Sequence, residues 1–308
     1  MKTGNPASSR PEKDSRPPRA EDFSDSLSKP AILLNVELTA PSISHVVTVL
    51  LLTSLLTGSA VAWTRLWLAW RSQQPWLEWS DEPRATWTTF AEQTALLLTF
   101  LWLSLHLSSH ILPAPPTDLQ PLSTTVLIGL LVAGGGIAVL LPAIFLSSHR
   151  RPSEFGLKTT RLDHQVADGV EGFLIAILPM AATMLLTSPL RTRDTQNALL
   201  KLLSDSGDPA ILMMIGAVAV VIAPLSEEML FRVILQGWLT SVLSARVAIP
   251  VVAVTFASIH GLVDGLALLP LALVLGSVFH RRHSYITVVV IHGLFNATML
   301  ALALLTES

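Results

Sequence analysis

The sequence predicts an all-α, polytopic membrane protein with about eight transmembrane helices in one bundle. Of its 308 residues, 51% are hydrophobic and only 14% are charged, and the mean hydropathy is +0.56. Average soluble domains carry about 25% charged residues. Several apolar runs approach the ~20 residues that a helix needs to cross the hydrocarbon core of a bilayer. Strand-like alternation is absent from the sequence, which argues against a membrane β-barrel.

Charge and cysteine content exclude further classes of protein and site. The chain has 20 basic and 22 acidic residues and a net charge of -2, so it lacks the positive footprint of a nucleic-acid-binding protein. It contains no cysteine. Disulfides, thiolate metal sites and a cysteine nucleophile are therefore excluded.

The apolar runs define the predicted spans, and the segment before them has a different composition. Residues 1–41 mix charged side chains with Pro and Ser, which predicts a disordered polar tail because too little apolar surface can be buried. No apolar core follows the first charges, so this segment is not a signal peptide. The predicted spans are Ile43–Trp63, Thr89–Leu112, Thr124–Leu146, Val170–Leu186, Pro209–Pro224 with a helical continuation over Ser226–Leu243, a short Ala248–His260, Leu262–Phe279 and Ile286–Leu305.

The charges that flank the spans give a divided answer on orientation. An even number of spans puts both chain ends on one side, and the basic residues of the tail favour the cytoplasm for that side. The loop with Arg150, Arg151 and Lys158 and the turn with Arg281 and Arg282 are predicted on the opposite side. Either the positive-inside rule is overridden, or one span is a re-entrant or interfacial helix.

The first polar cluster inside an apolar run is Ser226–Arg232. A charge at the centre of a membrane helix costs about 2.5–3.5 kcal/mol on insertion scales, so such residues commonly face a cavity and carry function. Glu228 and Arg232 are four residues apart and can pair on one face, whereas Glu227 lies about 100° around the axis. Pro224 can begin a helical turn here, where acidic residues suit the helix dipole. The alternative is an interfacial helix start with two solvated carboxylates.

Two further clusters lie in later apolar runs. The stretch from Phe256 to His260 ends one run, and a lone histidine in such a place is typical of a packing or interface residue. His292 and Asn296 are four residues apart in the last span and share a face. Alone, this pair is typical of interhelical hydrogen bonding, worth about 0.6 kcal/mol and up to ~1–2 kcal/mol.

Together, the three clusters predict a hydrolytic site. They lie on different helices in the last third of the chain and supply a carboxylate, two imidazoles and a carboxamide. A carboxylate shielded from water can act as a general base, and a histidine can bind the same water. A second histidine and an asparagine can donate hydrogen bonds to a developing oxyanion.

The ordered motifs resemble those of the CAAX-protease and bacteriocin-processing family, also called the Abi family. Its pattern is Glu-Glu-x-x-x-Arg, then Phe-x-x-x-His, then His-x-x-x-Asn on successive membrane helices. The matching residues of this chain are Glu227, Glu228, Arg232, Phe256, His260, His292 and Asn296. The stretches Leu275-Gly276-Ser277 and Phe155-Gly156-Leu157 also fit. The resemblance therefore extends over residues 150–305.

The resemblance implies an intramembrane endopeptidase and a role for each motif residue. Glu227 would activate a water molecule, with His260 beside it. His292 and Asn296 would stabilise the oxyanion. The residues that would support the site are Glu228, Arg232 and Phe256. The catalytic core would occupy residues 149–308, preceded by a variable set of helices over residues 42–148.

The resemblance also bears on cofactors, partners and location. The family has been described as metal-dependent, and Glu227, His260 and His292 are candidate ligands for a divalent metal such as zinc. The chain has no His-Glu-x-x-His helix, and a water activated by Glu227 and His260 needs no metal, so no cofactor is favoured. The expected partners are the lipid bilayer and a peptide or protein substrate, including a lipidated one, and no nucleic acid. The expected location is the plasma (inner) membrane, as a multi-pass protein.

Other functions remain open at this point. Intramembrane Glu and His residues also mark transporters and proton paths, although no matched pair of halves indicates inverted repeats. A non-catalytic immunity or scaffold protein would tolerate replacement of Glu227. A purely structural bundle would tolerate replacement of His260, His292 and Asn296 alike.

Overall fold

The computed structural model describes residues 42–111, 124–191 and 208–307, and the long regular elements in these ranges are all helices. The predicted tail, residues 1–41, lies outside them. Seven helices in the described ranges are long and apolar enough to span a membrane, and one, of 14 residues, is shorter. The helices are α1 Ile43–Arg71, α2 Phe90–Ile111, α3 Thr124–Leu146, α4 Leu162–Thr187, α5 Pro209–Val242, α6 Ala245–Ser258, α7 Leu262–Arg282 and α8 Tyr285–Glu307.

This architecture confirms the predicted polytopic helical bundle and changes the bounds of two spans. α1 ends eight residues later than predicted, at Arg71, and α4 begins eight residues earlier, at Leu162. The added turns carry charged side chains such as Arg65 and Asp168, which the search for apolar runs left out. The predicted boundary between the first helices and the core, at residue 148, stays a prediction.

Helix α4 packs closely against α8. A Cβ on Gly169 would lie 2.6 Å from Val290, and a Cβ on Gly172 would lie 2.6 Å from Ile291. α4 and α8 can therefore approach closely only because both positions are glycine. Close packing of this kind stabilises helix pairs in membranes, where the lipid tails are as apolar as the side chains.

Helix α5 departs from the prediction at Pro224. The sequence placed Pro224 where a helical turn can begin, with a helical continuation over Ser226–Leu243, but the helix runs unbroken from Pro209 to Val242. Glu227 and Glu228 therefore lie in the middle of a long helix and not in a first turn, so the helix dipole does not account for their position. That part of the prediction was wrong.

A tertiary hydrogen bond explains how α5 continues through this proline. Residues Ala217–Ile222 form a π-helix, in which N–H groups bond to carbonyls five residues earlier. In that pattern Pro224, which has no N–H, cannot donate to the carbonyl of Ala219. Nδ2 of Asn296 donates to this carbonyl instead, at 2.7 Å. Neighbouring helices re-satisfy the backbone in this way at prolines within membranes.

The segments at one end of the bundle are joined by backbone hydrogen bonds. In the segment after α1, the N–H of Ala85 donates to the carbonyl of Glu154, in the loop after α3, at 3.0 Å. The N–H of Ser80 donates to the carbonyl of Arg281, at the end of α7, at 2.9 Å. The basic loop and the basic turn therefore share one end, as predicted, opposite the start of α1 and the end of α8.

His283, in the α7–α8 turn at this end, is neutral at physiological pH. The residue is 4% exposed, and Nε2 donates to the carbonyl of Glu154 at 2.9 Å. Burial, followed by the positive charge of Arg84, lowers the pKa of His283 to about 4 because both disfavour the imidazolium. Lys158 adds to the repulsion.

We expect acidification to destabilise the protein through His283. The unfolded chain binds a proton on this ring from about pH 6.5 downward, whereas the folded protein resists it until about pH 4. The unfolded state therefore binds more protons across this window, and stability falls as the pH falls through it. The expected loss is about 2 kcal/mol at pH 5. Thermal unfolding in detergent at pH 7.5 and 5 should show a smaller acid sensitivity for His283→Gln than for the wild type. Equal sensitivity of both proteins contradicts the assignment.

Candidate active site

Glu228 is the centre of a buried charged network. Its Oε2 accepts a hydrogen bond from Nε of Arg232 at 3.0 Å, and its Oε1 accepts one from Nδ1 of His292 at 2.8 Å. Glu228 and Arg232 are both fully buried. The predicted pairing of these two residues on one helix face is confirmed. Glu228 thus neutralises Arg232 and orients His292 at the same time.

Glu227 points away from Arg232, as its position around the helix predicts, and toward both histidines. Its Oε2 lies 3.8 Å from Nε2 of His260 and 3.9 Å from Nε2 of His292. This oxygen is buried and has no hydrogen-bond partner among the described residues, although the side chain as a whole is 18% exposed. Three elements, α5, the α6–α7 corner and α8, therefore bring these side chains together.

Both imidazole rings are oriented through Nδ1. Nδ1 of His260 lies 2.8 Å from the carbonyl oxygen of Phe256, and Nδ1 of His292 lies 2.8 Å from the Glu228 carboxylate. Because a carbonyl and an ionised carboxylate only accept, each Nδ1 carries a proton and donates. In a neutral ring Nε2 then holds the lone pair. Both Nε2 atoms and the Glu227 carboxylate therefore face one small region, which suits a bound water molecule.

The α6–α7 corner positions His260 with the help of two glycines. Gly261 has a φ of 80°, in the left-handed region that glycine adopts without steric cost. A Cβ on Gly265 would lie 2.2 Å from the carbonyl oxygen of Ala257. Any larger residue there would force α6 away from α7 and move His260 with it.

Phe256 packs against the site residues from within α6. It is fully buried, and its ring centroid lies 4.7 Å from that of His260 and 5.8 Å from that of His292. The guanidinium carbon of Arg232 lies 5.2 Å from the same centroid. One ring thus contacts both histidines and the buried arginine, and its supporting role stays a prediction.

A groove of about 480 Å³ runs between α6 and α7 and reaches Gly261, the residue after His260. Its largest exposed side chains are apolar, with Leu262 80% and Val254 58% exposed. In a spanning bundle such side chains face lipid. The lining residues are Val254, Ala257, Ser258, Gly261, Leu262, Gly265, Leu266 and Leu269.

Asn296 lies one helical turn beyond His292 on α8, and its side-chain amide forms a hydrogen bond with the backbone of α5. Nδ2 donates to the carbonyl of Ala219 at 2.7 Å. An amide has two N–H groups, so this bond leaves one for a ligand. The structure thus brings Glu227, His260 and His292 within 4 Å contacts, while Asn296 is joined to the site through α5.

Two residues that the sequence did not single out contact the framework of the site. Tyr285, the single tyrosine of the chain, donates from its hydroxyl to the carbonyl of Leu225 at 2.7 Å. It thereby holds α5 two residues before Glu227. The sequence could have indicated Tyr285 through its spacing. Tyr285 precedes His292 by seven residues, which is about two turns of α8 and places both residues on one helix face.

The second such residue is Gln236, which is 1% exposed on α5. Its Nε2 donates to the carbonyl of Gly276 on α7 at 2.8 Å. Gln236 follows Arg232 by four residues and continues the face that begins at Glu228. That spacing was visible in the sequence, but a single polar residue near the end of an apolar run is a weak signal.

The candidate metal ligands do not fit a metal ion as they stand. Ligands in a tetrahedral zinc site with bonds of about 2.0–2.2 Å lie roughly 3.4 Å apart. Oε2 of Glu227 is 3.8 and 3.9 Å from the Nε2 atoms of His260 and His292. Among the described residues, no group of three or more His, Cys, Asp or Glu side chains converges closely enough to hold a metal ion.

The fold and the site define a multi-pass integral membrane protein with paired carboxylates and imidazoles inside its helical bundle. Residues 209–298 match the model of the Rce1-like family of type II CAAX prenyl endopeptidases. These residues are therefore similar to that family, in agreement with the resemblance of the motifs. The matched range includes all seven motif residues. A search of curated proteins found no match, and a search of solved structures found none either.

Proposed function

We propose that this protein is an intramembrane endopeptidase that hydrolyses a peptide bond near one membrane surface. The observation that carries the proposal is the approach of Oε2 of Glu227 to Nε2 of His260 and of His292, at 3.8 and 3.9 Å. His292 lies seven residues from the start of α8, which is about 10 Å along the helix from the basic end of the bundle. The family match supports the same class of activity.

In the proposed reaction, Glu227 removes a proton from a water molecule held between its carboxylate and His260. The water oxygen bonds to the carbonyl carbon of the substrate, and the resulting oxyanion accepts hydrogen bonds from Nε2–H of His292 and from Asn296. For His292 to donate, its ring must be protonated at both nitrogens, and the Glu228 carboxylate at Nδ1 stabilises that form. The C–N bond then breaks, and Glu227 passes its proton to the leaving amine.

No metal ion takes part in this proposed reaction. The arrangement of the side chains supports this proposal. Nδ1 of each histidine donates to a protein acceptor. Oε2 of Glu227 and the two Nε2 atoms are spaced for a hydrogen-bonded water molecule. General-base catalysis of this kind contributes typically about 10²–10⁴-fold.

The proposed substrate is a lipidated peptide or protein. The matching family is described as type II CAAX prenyl endopeptidases. The apolar groove beside His260 supports a substrate with a hydrocarbon chain, because its side chains Val254 and Leu262 are apolar and exposed. Plasma-membrane location stays a prediction.

The test compares membranes from cells that make the wild type or Glu227→Ala at matched levels of folded protein. Protein and peptide termini are catalogued by mass spectrometry. Termini that appear only with the wild type are the expected result and would identify a substrate and the side on which it is cut. Identical catalogues in cells that also express a prenylated reporter protein would contradict the proposal and favour a non-catalytic immunity or scaffold role.

A further inference from the structure

A line of buried polar side chains continues from the candidate site along α5. Glu228, Arg232 and Gln236 follow one another at four-residue intervals, which keeps them on one face of the helix. Each is no more than 1% exposed. Residues Met229–Gln236 form a π-helix, a distortion that occurs frequently at functional sites.

Arg232 and Gln236 each have polar atoms without a partner. Nε of Arg232 donates to Glu228, but Nη1 and Nη2 have no hydrogen-bond partner among the described residues. Nε2 of Gln236 donates to Gly276, but Oε1 has no such partner either. The unpartnered atoms are donors on one residue and an acceptor on the next residue of the same face. Buried polar groups of this kind are costly unless something small and polar joins them.

Helix α7 and Phe256 pack closely around these two side chains. A Cβ on Gly276 would lie 3.0 Å from Oε1 of Gln236 and 2.9 Å from Ile249, so α7 closes one side. The ring of Phe256 lies beside the guanidinium group of Arg232. A buried water molecule typically makes about three hydrogen bonds to such groups, and it can both accept from a guanidinium and donate to an amide oxygen.

We propose that internal water bridges the Nη atoms of Arg232 to Oε1 of Gln236, and that Gln236 is thereby a positioning residue for the candidate active site. The water fixes the orientation of the guanidinium plane of Arg232. Nε of Arg232 donates to the Glu228 carboxylate, and this carboxylate accepts from Nδ1 of His292 at 2.8 Å. Gln236 in turn is attached to α7 through Gly276. The water site is independent of catalysis, whereas the positioning role rests on the proposed function.

The first measurement detects the water without any need for activity. Hydroxyl radicals generated in place by radiolysis label buried side chains that contact bound water, and Phe256, with no exposure, is the reporter. The wild type and the control Ser241→Ala, an exposed position on α5, are expected to label equally. Gln236→Met, of similar size but without the acceptor, is expected to lose most of this label. Equal labelling of Gln236→Met and the wild type, or no label in the wild type, overturns the proposal.

The second measurement tests the positioning role through kinetics. We expect Gln236→Met to lower kcat about tenfold, to leave KM unchanged and to shift the pH profile of kcat. The reason is that the guanidinium group of Arg232, which pairs with the Glu228 carboxylate that orients His292, loses a water-mediated hydrogen bond. Gln236→Glu keeps an oxygen acceptor opposite Arg232 and is expected to retain the label, including where Gln236→Met folds poorly. An unchanged pH profile in active, folded Gln236→Met overturns the positioning role. If Phe256 is labelled in a wild-type protein that cuts no peptide, the proposed function is overturned and the proposed water site is still supported.

Discussion

Glu227→Gln is expected to lower kcat by about 10²–10⁴-fold and to leave the melting temperature unchanged. The substitution keeps the size of the side chain but removes the group that accepts the proton of the water. Oε2 of Glu227 makes no hydrogen bond within the described residues, so the fold loses no hydrogen bond through this oxygen. The measurement is kcat and KM on a substrate peptide, together with thermal unfolding of the same preparation.

The matched control for this experiment is Glu171→Gln. Glu171 is also a carboxylate within a membrane helix, on α4, and it pairs with Arg65 at 3.5 Å away from the candidate site. Its replacement is expected to leave kcat unchanged. Full activity in folded Glu227→Gln would reject Glu227 as the base and would favour a structural or scaffold role for the polar clusters.

Glu228→Gln is expected to destabilise the protein by about 3–5 kcal/mol and to lower activity as well. Arg232 is fully buried, and Glu228 is its ion-pair partner, at 3.0 Å. The variant therefore leaves a buried guanidinium without a countercharge and weakens the orientation of His292. Folded yield after detergent extraction and the melting temperature measure the first effect, and kcat per folded molecule measures the second.

The control for Glu228→Gln is Glu154→Gln. Glu154 also pairs with an arginine four residues away, Arg150, at 3.3 Å, but the pair is partly exposed. Pairs of this kind contribute about 0–1 kcal/mol, so this variant is expected to lose little stability. Normal yield and normal melting of Glu228→Gln would contradict a structural role for the buried pair.

Local spacing predicted those site contacts that lie within one helix. The four-residue interval placed Glu228 against Arg232, and the 3.6-residue period turned Glu227 to a different face. Both results were found in the structure. The contact between Glu228 and His292 spans two helices, and no periodicity in either helix indicates which carboxylate meets which histidine.

The continuity of α5 at Pro224 also depends on a contact between helices that local sequence patterns do not indicate. A proline within an apolar run commonly begins or bends a helix, because it lacks an N–H group. Here the donor that the backbone needs comes from Asn296, more than 70 residues later in the chain. The local sequence around Pro224 therefore indicated that the two glutamates lie in the first turn of a helix, although they lie in the middle of α5.

The sequence by itself determined that this is a multi-pass helical membrane protein in which residues 209–298 are similar to the Rce1-like family. Hydropathy, helix period and motif order are local properties of the chain. Only the tertiary structure decided that Glu227 faces His260 and His292, and that Glu228 joins Arg232 to His292. It also revealed Tyr285 and Gln236. These relations depend on how α5, α6, α7 and α8 pack, and packing in a bilayer is directed by close approach at glycines and by interhelical hydrogen bonds.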